Sequence, residues 1–183
     1  MTQDDKREKS QIDLFDLTPL KGRSNKYIPD AFVQIKEKKW NIELKTFDKS
    51  KGLCSTARNV TLEKIENWRK VTWLFSEYEK GGKLTGNHWL VSGESMEPFF
   101  KEQETKILKG TKSYGGLEDW WELKDFAQSC GFDLEKLNKV EKILVKRGGL
   151  NDPRISRKKI EELGIKLEGK NLANSLREIL LAE

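Results

Sequence analysis

A mixed α/β or α+β fold is expected for this chain, on three observations. An apolar alternation marks a β-hairpin over residues 31–46. After a short helical segment, two runs rich in β-branched and aromatic residues read as strands at 71–78 and 87–93. From about residue 118 the pattern turns helical. A hairpin, a helix, two strands and then helices is the order of a layered domain with both element types. The chain has 183 residues, with eight Phe, six Trp and three Tyr, which is enough to bury a core despite a charged fraction of 36%.

Taken in order, residues 1–11 (MTQDDKREKSQ) are charged and expected to fray. Ile12–Leu17 reads as a short helical turn or extended piece, ended by Pro19 and Gly22. Ala31–Lys36 and Trp40–Thr46 are the hairpin strands, joined by the polar Glu37-Lys38-Lys39. A loop over 48–56 follows. Leu62, Ile65 and Trp68 have helical spacing. Val71–Tyr78 reads as a central strand and Asn87–Gly93 as another. Glu118–Cys130 and Leu134–Gly148 read as helices, the second stopped by Gly148-Gly149. Asn151–Ile155 reads as a turn held by Pro153. Ser156 is placed to cap a short helix ending at Gly164. A last amphipathic helix carries Leu172, Leu176, Ile179 and Leu180 on one face.

Composition narrows the chemistry. No stretch approaches the ~18 apolar residues of a membrane helix. The N-terminus lacks an apolar leader core, so a cytoplasmic, reducing location is expected. Two cysteines, Cys54 and Cys130, suit neither a zinc site nor a disulfide framework, and they read as plain thiols. His88 is the only histidine, which disfavours Ser-His-Asp chemistry. It reads as a surface or packed residue. Trp73, Phe75, Trp89, Trp120 and Trp121 read as core rather than stacking platforms. The net charge of +5 permits nucleic-acid binding. Any catalysis is left to carboxylates, lysines and a hard cation.

The informative unit is Asp30 at the start of one hairpin strand and Glu43-Leu44-Lys45 on the next. Alternation sends Asn41, Glu43 and Lys45 one way and Trp40, Ile42 and Leu44 the other, into the core. Hairpin pairing then brings Asp30 near Glu43. Two adjacent carboxylates repel, and a divalent cation relieves that. Mg²⁺ prefers oxygen donors and keeps several waters, so Asp30, Glu43 and the backbone carbonyl of Leu44 would suffice as protein ligands. Such an ion favours a bound hydroxide and offsets charge on a phosphodiester. Lys45 would touch the attacking water and a non-bridging oxygen. The competing reading is a plain cross-strand ion-pair cluster, each pair worth roughly 0–1 kcal/mol.

Pro29-Asp30, a gap of twelve residues, then Glu43-Leu44-Lys45 resembles the PD-(D/E)xK nuclease superfamily. Within it, residues 43–78 resemble the PvuII-like type II restriction endonucleases. The matching pieces are Lys51-Gly52, Ser55-Thr56, Trp68-Arg69, Trp73, Phe75 and Tyr78. A second match runs from Asn151-Asp152-Pro153-Arg154-Ile155 through Lys158 to Gly164. The resemblance implies a restriction-endonuclease-like core, a mixed central β-sheet flanked by helices. It implies a nuclease domain over 1–168, a helical insertion at about 110–147, and a C-terminal helical extension over 169–183. It also implies Mg²⁺-dependent cleavage of double-stranded DNA at a short, palindromic site, leaving 5′-phosphate and 3′-hydroxyl ends. A homodimer and a cognate DNA methyltransferase in the same host belong to that picture.

The chain also departs from the family. The Asp30–Glu43 spacer is longer, which implies an extra turn in the hairpin. The region before the motif, which carries dimer contacts in the family, is shorter. Residues 110–147 or the tail after 168 are then left to supply those contacts. Where the family has histidines after Ser55-Thr56, this chain has Ala57, Arg58 and Asn59. Arg58 suits guanine O6 and N7. Asn59 suits adenine or caps a helix, and Asp152 accepts from cytosine or closes a turn with Asn151. The specificity should therefore differ. Residues 142–159 hold seven Lys or Arg against one acid, and 21–51 hold nine against four. Both flank the proposed site, so Lys21, Arg23, Arg154, Arg157 and Lys158 are candidate phosphate contacts. Two readings compete with a restriction enzyme: a structure-selective repair or recombination nuclease, and a DNA-binding module without catalysis.

Overall fold

A computed structural model describes residues 3–20, 28–57, 60–112, 131 and 153–182. The helices expected at 118–130 and 134–148 lie outside the described residues, as does the expected insertion apart from residues 110–112 and Gly131. The fold is mixed α/β. The chain divides into two compact units. The larger comprises 1–56, 66–97 and 154–183, and the smaller comprises 57–65 and 98–153.

The larger unit is built on a six-stranded sheet in the order β1-β2-β3-β5-β6-β8. These strands are β1 (Thr18–Pro19), β2 (Ala31–Ile35), β3 (Lys38–Asp48), β5 (Thr72–Tyr78), β6 (Leu84–Val91) and β8 (Ile165–Lys166). β3 and β5 run parallel and every other pair is antiparallel. The β2–β3 hairpin is tighter than expected. Ile35 pairs with Lys38 across a two-residue turn, and Lys36 takes a positive φ of 53° there. The residues between Asp30 and Glu43 are taken up by β2, this turn and the first part of β3, with no extra turn. A parallel β3–β5 pair needs a crossover. α2 (Leu62–Trp68), with the expected spacing, lies within it. β5 is buried on both faces from Thr72 to Glu77, as a central strand must be.

Leu44, Leu74 and Leu90, from three neighbouring strands, belong to one apolar cluster on one face of the sheet. α1 (Gln3–Phe15) adds Phe15 to that cluster, and α5 (Leu172–Ala182) adds Leu176 and Leu180. The other face is aromatic. Trp73 stacks on Phe75 at 5.9 Å, and Phe47 meets Trp89 at 5.8 Å. Trp73, Phe75 and Trp89 are buried as expected, while Trp120 and Trp121 lie outside the described residues.

Three expectations need correction. From Gln3 the charged start does not fray: it forms α1, because Gln11 and Phe15 are buried while Lys6, Lys9 and Asp13 stay exposed. The stretches expected as a loop at 48–56 and a turn at 151–155 each contain a strand. β4 (Leu53–Ser55) and β7 (Arg154–Ser156) form a separate two-stranded ribbon. α3 (Glu97–Lys112) occupies a stretch whose pattern is not legible in the sequence. The capped helix holds: in α4 (Arg157–Leu163) Ser156 Oγ accepts from Lys159 N, and Gly164 ends it.

In the smaller unit the described part of α3 buries Phe99, Phe100 and Ile107. No helix among the described residues is long and apolar enough to cross a membrane.

Candidate active site

β2 and β3 assemble the site. Ala31 lies opposite Ile42, so Asp30, one residue earlier, comes beside Glu43 and Leu44. Trp40, Ile42 and Leu44 are buried, while Asn41, Glu43 and Lys45 are half-buried on the opposite face. The Leu44 N–H donates to Asp30 Oδ2 at 2.8 Å, which fixes that carboxylate. Lys45 Nζ donates to Glu43 Oε1 at 2.6 Å and lies 3.9 Å from Asp30 Oδ2. It also lies 5.8 Å from the centroid of the Trp73 ring. Asp30, Glu43 and Lys45 therefore meet.

Only 17% of the Lys45 side chain, 14% of Glu43 and 29% of Asp30 is exposed. Burial by itself lowers the Lys45 pKa. The charges of Glu43 and Asp30 and the hydrogen bond to Glu43 outweigh it and hold the pKa above the usual lysine range. Lys45 is thus an ammonium at neutral pH, a donor and a positive charge rather than a base.

α1 brings a third acid that the sequence reading missed. The Glu8 pKa is raised, first by burial and then by the negative charge of Asp30, with Lys45 opposing. Gln11, one turn on, anchors the helix to the site strand. Its Nε2 donates to Ser76 Oγ at 2.8 Å, Leu74 O at 3.1 Å and Lys45 O at 3.3 Å. The available signal was the i, i+3, i+7 spacing of Glu8, Gln11 and Phe15, hidden among charges.

Among the described residues no group of three or more His, Cys, Asp and Glu side chains is arranged to hold a metal ion. Asp30 and Glu43 still fit an ion such as Mg²⁺, which keeps most of its water and takes one or two carboxylates.

The other expected site residues fall into two groups. Lys21, Arg23, Arg58, Asn59, Asn151 and Asp152 lie outside the described residues. The rest sit on or beside the β4–β7 ribbon, which pairs Ser55 with Arg154 and Cys54 with Ile155. Ser55, Arg154 and Lys158 are exposed, and Thr56 is buried. Cys54, a buried thiol, places Sγ 3.7 Å from Thr46 O, so the ribbon abuts β3 next to Lys45. The Arg157 guanidinium is engaged by Glu77 and Glu161, each at 2.8 Å.

No protein-family model matches the sequence, and no curated protein matches it.

Proposed function

We propose that this chain is a Mg²⁺-dependent type II restriction endonuclease that hydrolyses duplex DNA at a short, palindromic site and leaves 5′-phosphate and 3′-hydroxyl ends. The observation that carries this reading is the meeting of Asp30, Glu43 and Lys45 on one face of a hairpin strand, half-withdrawn from water. Asp30, Glu43 and the Leu44 carbonyl would hold the ion. When bound, it supplies a low-pKa water and offsets charge on the phosphate. Asp30 is aimed in advance by the Leu44 N–H. Lys45 keeps its proton and donates it in hydrogen bonds to the attacking water and a non-bridging oxygen. Arg58, Asn59, Asn151 and Asp152 read bases. A homodimer matches the symmetric target, and a DNA methyltransferase protects the host.

Plasmid digestion with Mg²⁺, followed by sequencing of the fragment ends, tests this. Discrete fragments sharing one end sequence, and none in EDTA, are expected. Cutting confined to branched DNA would favour the repair reading, and binding without cutting the non-catalytic one.

A further inference from the structure

Glu77 is a carboxylate with no exposure, held by side chains from two other elements. Its Oε1 accepts from Thr85 Oγ1 and Asn87 Nδ2, both at 3.0 Å. Its Oε2 accepts from Arg157 Nη1 at 2.8 Å. A buried carboxylate is tolerated only when it is paired and its lone pairs are filled. Arg157 supplies that charge from 80 residues away.

Arg157 is gripped on its other sides too. Its Nε donates to Glu161 at 2.8 Å, and its guanidinium lies 5.7 Å from the Trp89 ring centroid. Its backbone N–H donates to Gly52 O at 2.8 Å, where Gly52 turns into β4 with φ +58°. Arg157 directly follows β7. One residue therefore ties both strands of the ribbon to β5 and β6, while Cys54 holds the ribbon against β3 beside Lys45. A guanidinium committed in this way is poorly placed to serve as a phosphate contact.

We propose that Arg157 is a positioning residue: through Glu77 it holds the β4–β7 ribbon in fixed relation to Lys45. This rests on the nuclease reading for its consequence, since the ribbon borders the proposed catalytic strand.

Native protein, Arg157→Ala, Arg157→Lys, Glu77→Gln and the Arg157→Ala/Glu77→Gln double variant are compared in three measurements. These are single-turnover cleavage with Mg²⁺, the salt dependence of DNA affinity in EDTA, and amide hydrogen exchange. Arg157→Ala and Glu77→Gln should each slow cleavage tenfold or more while affinity and its salt slope stay native. The double variant should be no slower than Arg157→Ala, and Arg157→Lys should recover part of the rate. Exchange should quicken at Cys54, Ser55 and Ile155 while Trp73–Phe75 stay protected. A salt slope shallower by about one counterion in Arg157→Ala, with Glu77→Gln native, would make Arg157 a phosphate contact and overturn the proposal. Native exchange at the ribbon in both single variants would overturn it as well. Should Arg157→Ala fail to fold, Glu77→Gln and Arg157→Lys carry the same comparison. A native protein that does not cut DNA sinks the nuclease reading, and exchange then decides by itself whether the ion pair holds the ribbon.

Discussion

At the residue scale, the Lys45 ammonium pairs with the carboxylates of Glu43 and Asp30, and the proposed chemistry uses the same three groups. Asp30→Ala and Lys45→Ala should each lower Mg²⁺-dependent cleavage by about 10²–10³-fold or more, the range for removing one transition-state partner. Gel-shift affinity in EDTA should largely persist. Undiminished cutting by both variants would remove these residues from the site. Arg58→Ala should relax or abolish sequence preference, read from the fragment ends. His88 gives a separate prediction. Its ring is 1% exposed, and its Nδ1 lies 2.9 Å from Ser76 Oγ. Ser76 Oγ also accepts from Gln11 Nε2. Burial lowers its pKa from 6.5 to about 4, with a hydrogen bond to the Thr85 backbone and the charge of Glu77 opposing. Between these two pH values the unfolded chain binds the proton and the folded chain does not. His88 therefore contributes no slope above pH 6.5, and stability falls as pH drops towards 4, by about 3 kcal/mol in all. Urea unfolding across that window should show the loss, and His88→Gln should remove that part of the slope.

At the scale of elements, α5 behaves differently from what its position in the chain suggests. The C-terminal helix, expected as an extension, places Leu176 and Leu180 in the main core at zero exposure. Leu176→Ala or Leu180→Ala should each cost about 2–5 kcal/mol in chemical denaturation, as for other buried leucines. A change below about 0.5 kcal/mol would match a dispensable surface helix instead. α4 starts at a single side-chain cap, Ser156 Oγ on Lys159 N at 3.2 Å. Ser156→Ala should cost about 1 kcal/mol by the same measurement.

At the scale of the whole molecule, a palindromic target cut on both strands calls for two copies related by a two-fold axis. Sedimentation equilibrium should give twice the chain mass, and an active, strictly monomeric protein would exclude that arrangement. On the proposed reading, phosphate contacts release counterions and DNA affinity should fall with salt, so all variants need comparison at one ionic strength.

Periodic patterns were legible in the sequence because they are local. Alternation located the hairpin and sent Glu43 and Lys45 away from the core, a run rich in β-branched and aromatic residues marked β5 as central, and helical spacing found α5. Only the tertiary structure decided what depends on distant partners. Glu8 and Gln11 matter because β3 and β5 lie beneath their helix, and β4 and β7 are strands only because each pairs with the other. Arg157 reads as a candidate phosphate contact until Glu77, 80 residues earlier, is seen to be paired with it. A carboxylate shut away from water must find its counter-charge wherever the fold brings one, and the order of residues along the chain does not record that meeting.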